Sequence, residues 1–300
     1  MLLQGCPMYN TIKGLRIYDH ILILFFLLLN LIIVLFHKNQ QYWHLHLLKH
    51  FSICLLVLII IPKLENCRHP VGHFIRDWYV IILLPFIYLN MGNFIHLIFP
   101  NEFDPIIISL ETGIFGQTPN ILLQRIENSI LTEIMQLFYA LYWFTIPGGA
   151  LLLYAAKKYE TFHYFIYYIS LTFFLSYILF IIFPVYGPRF VMADQIYAEY
   201  RGVFLTQFLR DFVNNSGHKG CAFPSSHVAV AVVILHIVWW EFPKTAKWVF
   251  VPAVTGLSIA TVYGQYHYLT DMVAGLVMGI IIGQVARMRF NESKKGSYRL

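Results

Sequence analysis

Charged side chains are scarce in this sequence. Asp, Glu, Lys and Arg make up 12% of its 300 residues, against 58% hydrophobic. A soluble domain carries about 25% charged residues, so the deficit excludes an ordinary water-soluble globule and points to a lipid-embedded chain. Cysteine is scarce too. Cys6, Cys54, Cys67 and Cys221 show no C-x-x-C spacing, which argues against a zinc site and against a disulfide framework; they read as packing residues. There is no long internal repeat and no low-complexity tract, and one compact bundle is the simplest organisation. The basic residues form no stripe or block. They scatter over short polar segments between apolar runs, which excludes a nucleic-acid reading.

Apolar runs are what the sequence has in plenty. Crossing a bilayer takes about 20 apolar residues. Eight runs qualify, at 17–37, 46–62, 78–99, 133–156, 162–184, 226–242, 246–264 and 268–287, the second and sixth being short. Lys13 and Arg16 ahead of the first run give it the look of a secretory signal. HKNQQYW follows it with no small-residue cleavage site, so an anchor is expected. The expected fold class is an all-α polytopic transmembrane helix bundle.

Charge then orients the chain. With eight crossings, 14 of the 21 Lys and Arg residues fall on the side of the N-terminus and seven on the other. The short-loop pairs Lys157-Lys158 and Lys244/Lys247 carry most of this bias. The positive-inside rule makes the N-terminal side cytoplasmic, with both termini there.

Several polar residues sit where an apolar chain has little use for them. The fifth run ends in FPVYGPRF, with Arg189 just beyond it. The sixth opens on CAFPSSHVAVAVV, with Pro224, Ser225, Ser226 and His227 at its mouth. The eighth opens on HYLTD, with His267 and Asp271 four residues apart. Two crossings separate PSSH from HYLTD, so all three clusters return to one membrane face. Each has a bland reading. Ser225 can be a helix N-cap and Pro224 a helix start; Arg189 can snorkel to the headgroups. His20, His96, His163 and His236 read as interfacial residues. Asp271 is different, because a carboxylate in the first turn of an apolar helix is expensive and marks function. At i and i+4 it can fix the orientation and tautomer of His267. A histidine so held can act as a nucleophile, and a second histidine can protonate a leaving oxygen. An arginine and a helix N-terminus can bind a phosphoryl group. Metal is the competitor; the cation Arg189 beside the set favours an anion in the pocket, and no metal or cofactor is expected.

These pieces resemble the membrane-bound type-2 phosphatidic acid phosphatase superfamily, whose pattern is K-x6-R-P, then P-S-x-H, then S-R-x5-H-x3-D. The resemblance covers mainly residues 130–288, through YGPRF (186–190), PSSH (224–227) and ATVYGQYHYLTD (260–271). It implies a lipid phosphatase or phosphotransferase with a six-helix catalytic core. His267 would attack phosphorus and form a phosphohistidine, with Asp271 as its partner. His227 would serve as acid toward the leaving alcohol and then as base. Arg189, Ser225 and Ser226 would bind phosphate oxygens. The implied division is 1–77 for N-terminal helices and a cytoplasmic loop, 78–288 for the catalytic bundle and 289–300 for a cytoplasmic tail. The site would face the exoplasmic, periplasmic or lumenal side.

The sequence departs from the pattern at Ile182, where the first lysine would fall, at Phe190 in place of proline, and at Ala260 and Thr261 in place of Ser-Arg. Lys219 or His218 is a candidate substitute. CAFPSSH, HYLTD and FDPIIISLETGIFG (103–116) look more like the inositol phosphorylceramide synthase branch, whose members transfer a phospho-headgroup to an alcohol acceptor. Fewer cations suit a diester, which carries one negative charge where a monoester approaches two. A transporter or non-catalytic membrane protein is the rival of a different class; transporters gather polar groups near mid-bilayer, whereas here they gather at one edge. Gly275, Gly279 and Gly283 permit close helix packing. Tyr139, Tyr142 and Trp143 read as interfacial belt and packing residues. Residues 190–215 read as an amphipathic segment over the site, and Asn214-Asn215-Ser216 matches a glycosylation sequon.

Overall fold

The computed structural model describes residues 14–67, 69–196 and 200–297. Cys6 and the side chains of the Asn214 sequon lie outside what is described. The apolar runs fold into helices because the backbone has no water to bond to in a bilayer and must satisfy itself. The N-terminal part consists of α1 (Ile17–Leu35), α2 (Trp43–Ile59), the short α3 (Ile61–Glu65) and α4 (Pro70–Met91). A bent pair follows, α5 (Asp104–Phe115) and α6 (Pro119–Leu123), then the long helices α7 (Ser129–Ala155) and α8 (Tyr159–Ile182). The loop after α8 holds the single turn α9 (Pro188–Val191) and the amphipathic α10 (Thr206–Ser216). The last part is α11 (Ser226–Glu241), α12 (Pro243–Thr245), α13 (Val251–Tyr263) and α14 (Leu269–Ser297). Among the described residues there is no β-strand, only an isolated bridge between Val185 and Cys221.

Among the described residues, seven helical stretches are long and apolar enough to cross a membrane. The expected sixth run, α11, has 16 residues, about 24 Å at 1.5 Å per residue, short of a hydrocarbon core of about 30 Å. It can be short because it is central. Val228 to Ile234 are buried without a break, so protein, not lipid, surrounds it. Peripheral α1 shows the opposite pattern. Leu22, Phe25, Phe26, Leu29 and Ile33 are buried while Leu24, Leu27, Leu28 and Leu31 face outward, the division a membrane helix makes between bundle and lipid. Phe25 stacks on Phe174 of α8 with centroids 4.5 Å apart, so α1 is part of the bundle.

The α5–α6 pair was not among the expected spans. It bends by 63° at Gly116, whose φ of 78° closes α5 in the left-handed conformation; Pro119 then opens α6. Both ends of the pair bond to the same loops: Asp104 to Tyr186 and Gly187, Asn120 to the carbonyls of Val262 and His267. The pair therefore enters the bundle and returns to the end it left.

The glycines of α14 do what the small-residue spacing suggests. A Cβ on Gly275 would strike the carbonyl oxygen of Ser225. One on Gly279 would lie 2.6 Å from the Ala229 oxygen, and one on Gly283 2.6 Å from His236 Cγ. Helix α14 thus lies backbone-close along α11, and that contact sets the distance between HYLTD and PSSH.

The far end of the bundle holds a buried ionic network. Arg76 Nη2 donates to Asp19 Oδ2 at 2.7 Å and Arg76 Nε to Glu65 Oε2 at 2.8 Å. Arg16 Nη1 donates to Asp77 Oδ1 at 2.6 Å. His163, expected at the interface, is instead fully buried here and stacks on Tyr18 with centroids 5.9 Å apart. Its burial has no local signal in the sequence, because the groups it meets, Arg16 and Tyr18 at the start of α1, lie 147 and 145 residues away.

Candidate active site

Three chain segments converge at the end of the bundle opposite this network. After α8 the chain turns at Gly187 (φ 95°), where a Cβ would approach the Tyr266 carbonyl oxygen to 3.0 Å. Arg189 follows, its backbone N–H donating to the Gln265 carbonyl at 3.2 Å. The Ala222 N–H donates to the Val185 carbonyl at 2.9 Å, and the Ser225 N–H to the Asp271 carbonyl at 3.0 Å. Backbone bonds therefore join the segments FPVYGPRF, CAFPSSH and ATVYGQYHYLTD pairwise, independently of their side chains.

The side chains these segments carry meet at one cavity of about 450 Å³. Arg189, Ser226, His227 and His267 line one part of it. The two imidazoles lie 5.9 Å apart, edge to face. His267 is buried, and its Nδ1 is 2.9 Å from the Ala222 carbonyl oxygen. A carbonyl can only accept, so Nδ1 carries the proton and Nε2 keeps its lone pair. Burial, and second the neighbouring His227, pull the His267 pKa down to about 3, which keeps the ring neutral at physiological pH. His227 rests against the ring of Tyr142, 4.5 Å away, and near Tyr139 at 5.5 Å. These two tyrosines are buried, not at the lipid boundary. The Arg189 guanidinium lies 4.6 Å over Phe190 and 5.4 Å over Tyr266. Gly217 makes room for it, since a Cβ there would come 2.5 Å from Nη2.

The other expected site residues are arranged differently. Asp271 is fully buried behind His267, with Oδ2 3.6 Å from Nδ1, beyond hydrogen-bond length. That oxygen instead accepts from the Tyr268 N–H at 2.9 Å. Backbone, not carboxylate, thus holds the His267 tautomer. Ser225 is the N-cap of α11, its hydroxyl 3.5 Å from the Val228 N–H; Ser226 is the serine on the cavity wall. Lys219 is exposed, its Nζ 5.3 Å from the Phe190 ring centre, and is not part of the cavity wall, whereas His218 is. Burial lowers the His218 pKa. Ile182 is 46% exposed. Thr261 is buried with its hydroxyl donating to the Ser258 carbonyl at 2.7 Å. Neither lines the cavity.

The rest of the cavity is apolar. Its lining includes Ile81, Leu84 and Pro85 of α4, Trp143, Ile146 and Pro147 of α7, and Phe173 of α8. Val213 of α10 closes one side, so the amphipathic segment does border the site. Three polar residues that sequence reading passed over support the loops: Asp104, Glu111 and Asn120, all fully buried or nearly so. The signal was available for the first two, because each is a carboxylate within an apolar run, the same oddity that singled out Asp271.

Fold and cavity together define a polytopic helical membrane protein with two histidines and an arginine facing one pocket at the edge of its bundle. The chain matches the family model of the PAP2 superfamily over residues 106–285 and belongs to that superfamily. Membership makes it, in general terms, a lipid enzyme of phosphatase type. No curated protein and no solved structure matches it.

Proposed function

We propose that the chain transfers phosphoryl-bearing groups of membrane lipids through a phosphohistidine on His267. One observation supports this above others: the cavity joins a polar wall of Arg189, His227 and His267 to an apolar wall of α4 and α7 residues, matching a lipid with a phosphate at one end and a hydrocarbon chain at the other. In the first step the Nε2 lone pair of His267 forms a bond to phosphorus as the bond from phosphorus to the alcohol oxygen breaks, and His227 gives that oxygen a proton. In the second step His227 takes the proton of an incoming hydroxyl, the new P–O bond forms and the P–N bond breaks. Arg189 and the N-terminus of α11 stabilise the equatorial oxygens, with Ser226 on the same wall. Asp271, 3.6 Å from Nδ1, balances the positive charge His267 gains.

Headgroup transfer to an alcohol is the finer reading, as in enzymes similar to inositol phosphorylceramide synthase. Among the described residues lining the cavity, Arg189 is the one lysine or arginine. A single cation matches a diester of charge −1 better than a monoester approaching −2, and an apolar wall favours a lipid hydroxyl over water. The test is one mixed assay with labelled phosphatidic acid, a labelled phosphodiester lipid and an alcohol acceptor. Transferred headgroup should exceed released phosphate, and phosphatidic acid should be the poorer donor. Fast release of phosphate from phosphatidic acid, with no transfer, leaves a hydrolase.

The same reading puts the site on the exoplasmic, periplasmic or lumenal face, with both termini cytoplasmic, because 14 of the 21 basic residues fall to the other side. Lys219→Cys, at an exposed loop position, should react with an impermeant thiol reagent on intact cells, and Lys157→Cys only after permeabilisation. The reverse pattern moves the site to the cytoplasm.

A further inference from the structure

We propose that Asp104 and Glu111, on α5, are positioning residues that lock the segments bearing Arg189, His267 and Asp271 into one register. The proposal rests on the catalytic roles given above to those three residues.

Asp104 uses both carboxylate oxygens. Oδ2 accepts from the Tyr186 N–H at 2.7 Å; Oδ1 accepts from the Gly187 N–H at 2.8 Å and from the Tyr268 hydroxyl at 3.0 Å. Gly187 is two residues before Arg189, and Tyr268 is next to His267. One fully buried carboxylate thus ties the phosphate-binding loop to the nucleophile's segment. Its bonds also fix the stretch in which Val185 receives the Ala222 N–H, and the Ala222 carbonyl in turn accepts from His267 Nδ1. Two turns along the same helix, Glu111 Oε1 accepts from both the N–H and the hydroxyl of Thr270, at 2.7 and 2.9 Å. These bonds hold the first turn of α14, where Asp271 sits. Asn120, beyond the bend, donates to the His267 carbonyl at 3.0 Å.

The stretches that carry Arg189 and His267, 183–192 and 264–268, need an external support because they contain little regular structure of their own: one isolated bridge and a four-residue helix. Each carboxylate-to-amide bond is charge-assisted and short. Burial inside the bundle keeps water from replacing it. None of these carboxylate atoms is part of the cavity wall, so their effect on catalysis must pass through the loops. A misplacement of about 1 Å can cost about 100-fold in rate.

The bond pattern makes the two residues respond differently to the same change. Asn at 104 keeps one acceptor oxygen but turns an NH2 toward donors that need a second acceptor. Gln at 111 keeps the single oxygen that makes both bonds. In detergent-solubilised full-length protein, Asp104→Asn should lower kcat about 10- to 100-fold with KM changed by no more than about threefold. Glu111→Leu should lower kcat as well, and Glu111→Gln should recover most of that loss. Tyr268→Phe, which removes one bond to Asp104, should show a smaller kcat loss and serves if Asp104→Asn does not fold. Modification of His267 by diethylpyrocarbonate, read by mass spectrometry against the buried His163, should speed up in Asp104→Asn and Glu111→Leu but not in Glu111→Gln. Wild-type kcat and wild-type His267 labelling in Asp104→Asn, or equal behaviour of Glu111→Gln and Glu111→Leu, overturns the bracket. If wild-type protein turns over no lipid phosphate, the functional reading has failed, and the labelling pattern alone decides whether α5 positions His267.

Discussion

Replacing His267 by alanine lowers turnover of lipid phosphate esters by about 10⁴-fold or more, to the background of the assay, in a protein that remains folded. The size of the effect follows from the absence of a substitute. His227 stands 5.9 Å away against Tyr142, and in the proposed mechanism it serves proton transfer, not attack on phosphorus. Asp271 lies behind the ring, its Oδ2 taken by the Tyr268 N–H. Asp271→Asn should cost less, about 100-fold, because an amide oxygen can still accept from Tyr268 while the charge that balances a phosphorylated imidazole is gone. Rates are compared in detergent micelles, with the unfolding midpoint of each variant as the control. Wild-type turnover in His267→Ala would falsify the mechanism at its first step.

Asp19→Ala lowers the stability of the bundle by about 3–5 kcal/mol, the usual consequence of removing one partner from a buried ion pair. Asp19 is fully buried. It accepts from Arg76 Nη1 and Nη2 at 3.2 and 2.7 Å, from the Arg16 N–H at 2.7 Å, and from the Tyr79 hydroxyl. Without it Arg76 retains Glu65, a long bond to the Gly14 carbonyl at 3.5 Å and the Tyr18 ring, which leaves most of a buried guanidinium's donors without a charged partner. The network joins α1, the α3 segment and α4, and reaches α8 through His163, so the loss should appear as separation of the N-terminal helices from the rest. Thermal unfolding in a mild detergent measures it, and kcat of the fraction still folded should be unchanged because the cavity lies at the opposite end. An unaltered midpoint would mean that water reaches Arg76 and that the network contributes little.

The positions of His227, His267, Asp271 and Arg189 were readable because each is a polar residue at the edge of an apolar run, and counting crossings brings the edges together. Most helix boundaries followed for the same reason, since lipid imposes length and apolarity directly on sequence; the third run, expected at 78–99, is instead the helix Pro70–Met91, and the eighth, expected at 268–287, continues to Ser297. Three things were not readable, each for a physical cause. The partner of His267 Nδ1 is the Ala222 carbonyl, a backbone atom that any residue supplies, so the i, i+4 pairing with Asp271 looked stronger on paper than the 3.6 Å separation allows. Helix α5 was legible as a family-like stretch, but its bonds from Asp104 run across 82 and 164 residues and leave no local periodicity. His163 lies in an aromatic-rich run that suits an interface; only the approach of Arg16 and Tyr18 from another helix makes it a core residue. The division of labour between Ser225 and Ser226 was half legible, since a capping serine and a pocket serine sit side by side in PSSH and one residue of register separates them.

The most direct test of the account is to trap the intermediate. Purified protein is incubated with a lipid labelled at its phosphate, quenched in base, in which phosphohistidine survives, and digested for mass spectrometry. The account predicts labelled phosphorus on His267, formed at a rate no slower than turnover, discharged by an added alcohol and missing from His267→Ala. Steady turnover by wild-type protein with no phosphorus on His267 at any time, or with the label on another residue, would contradict it.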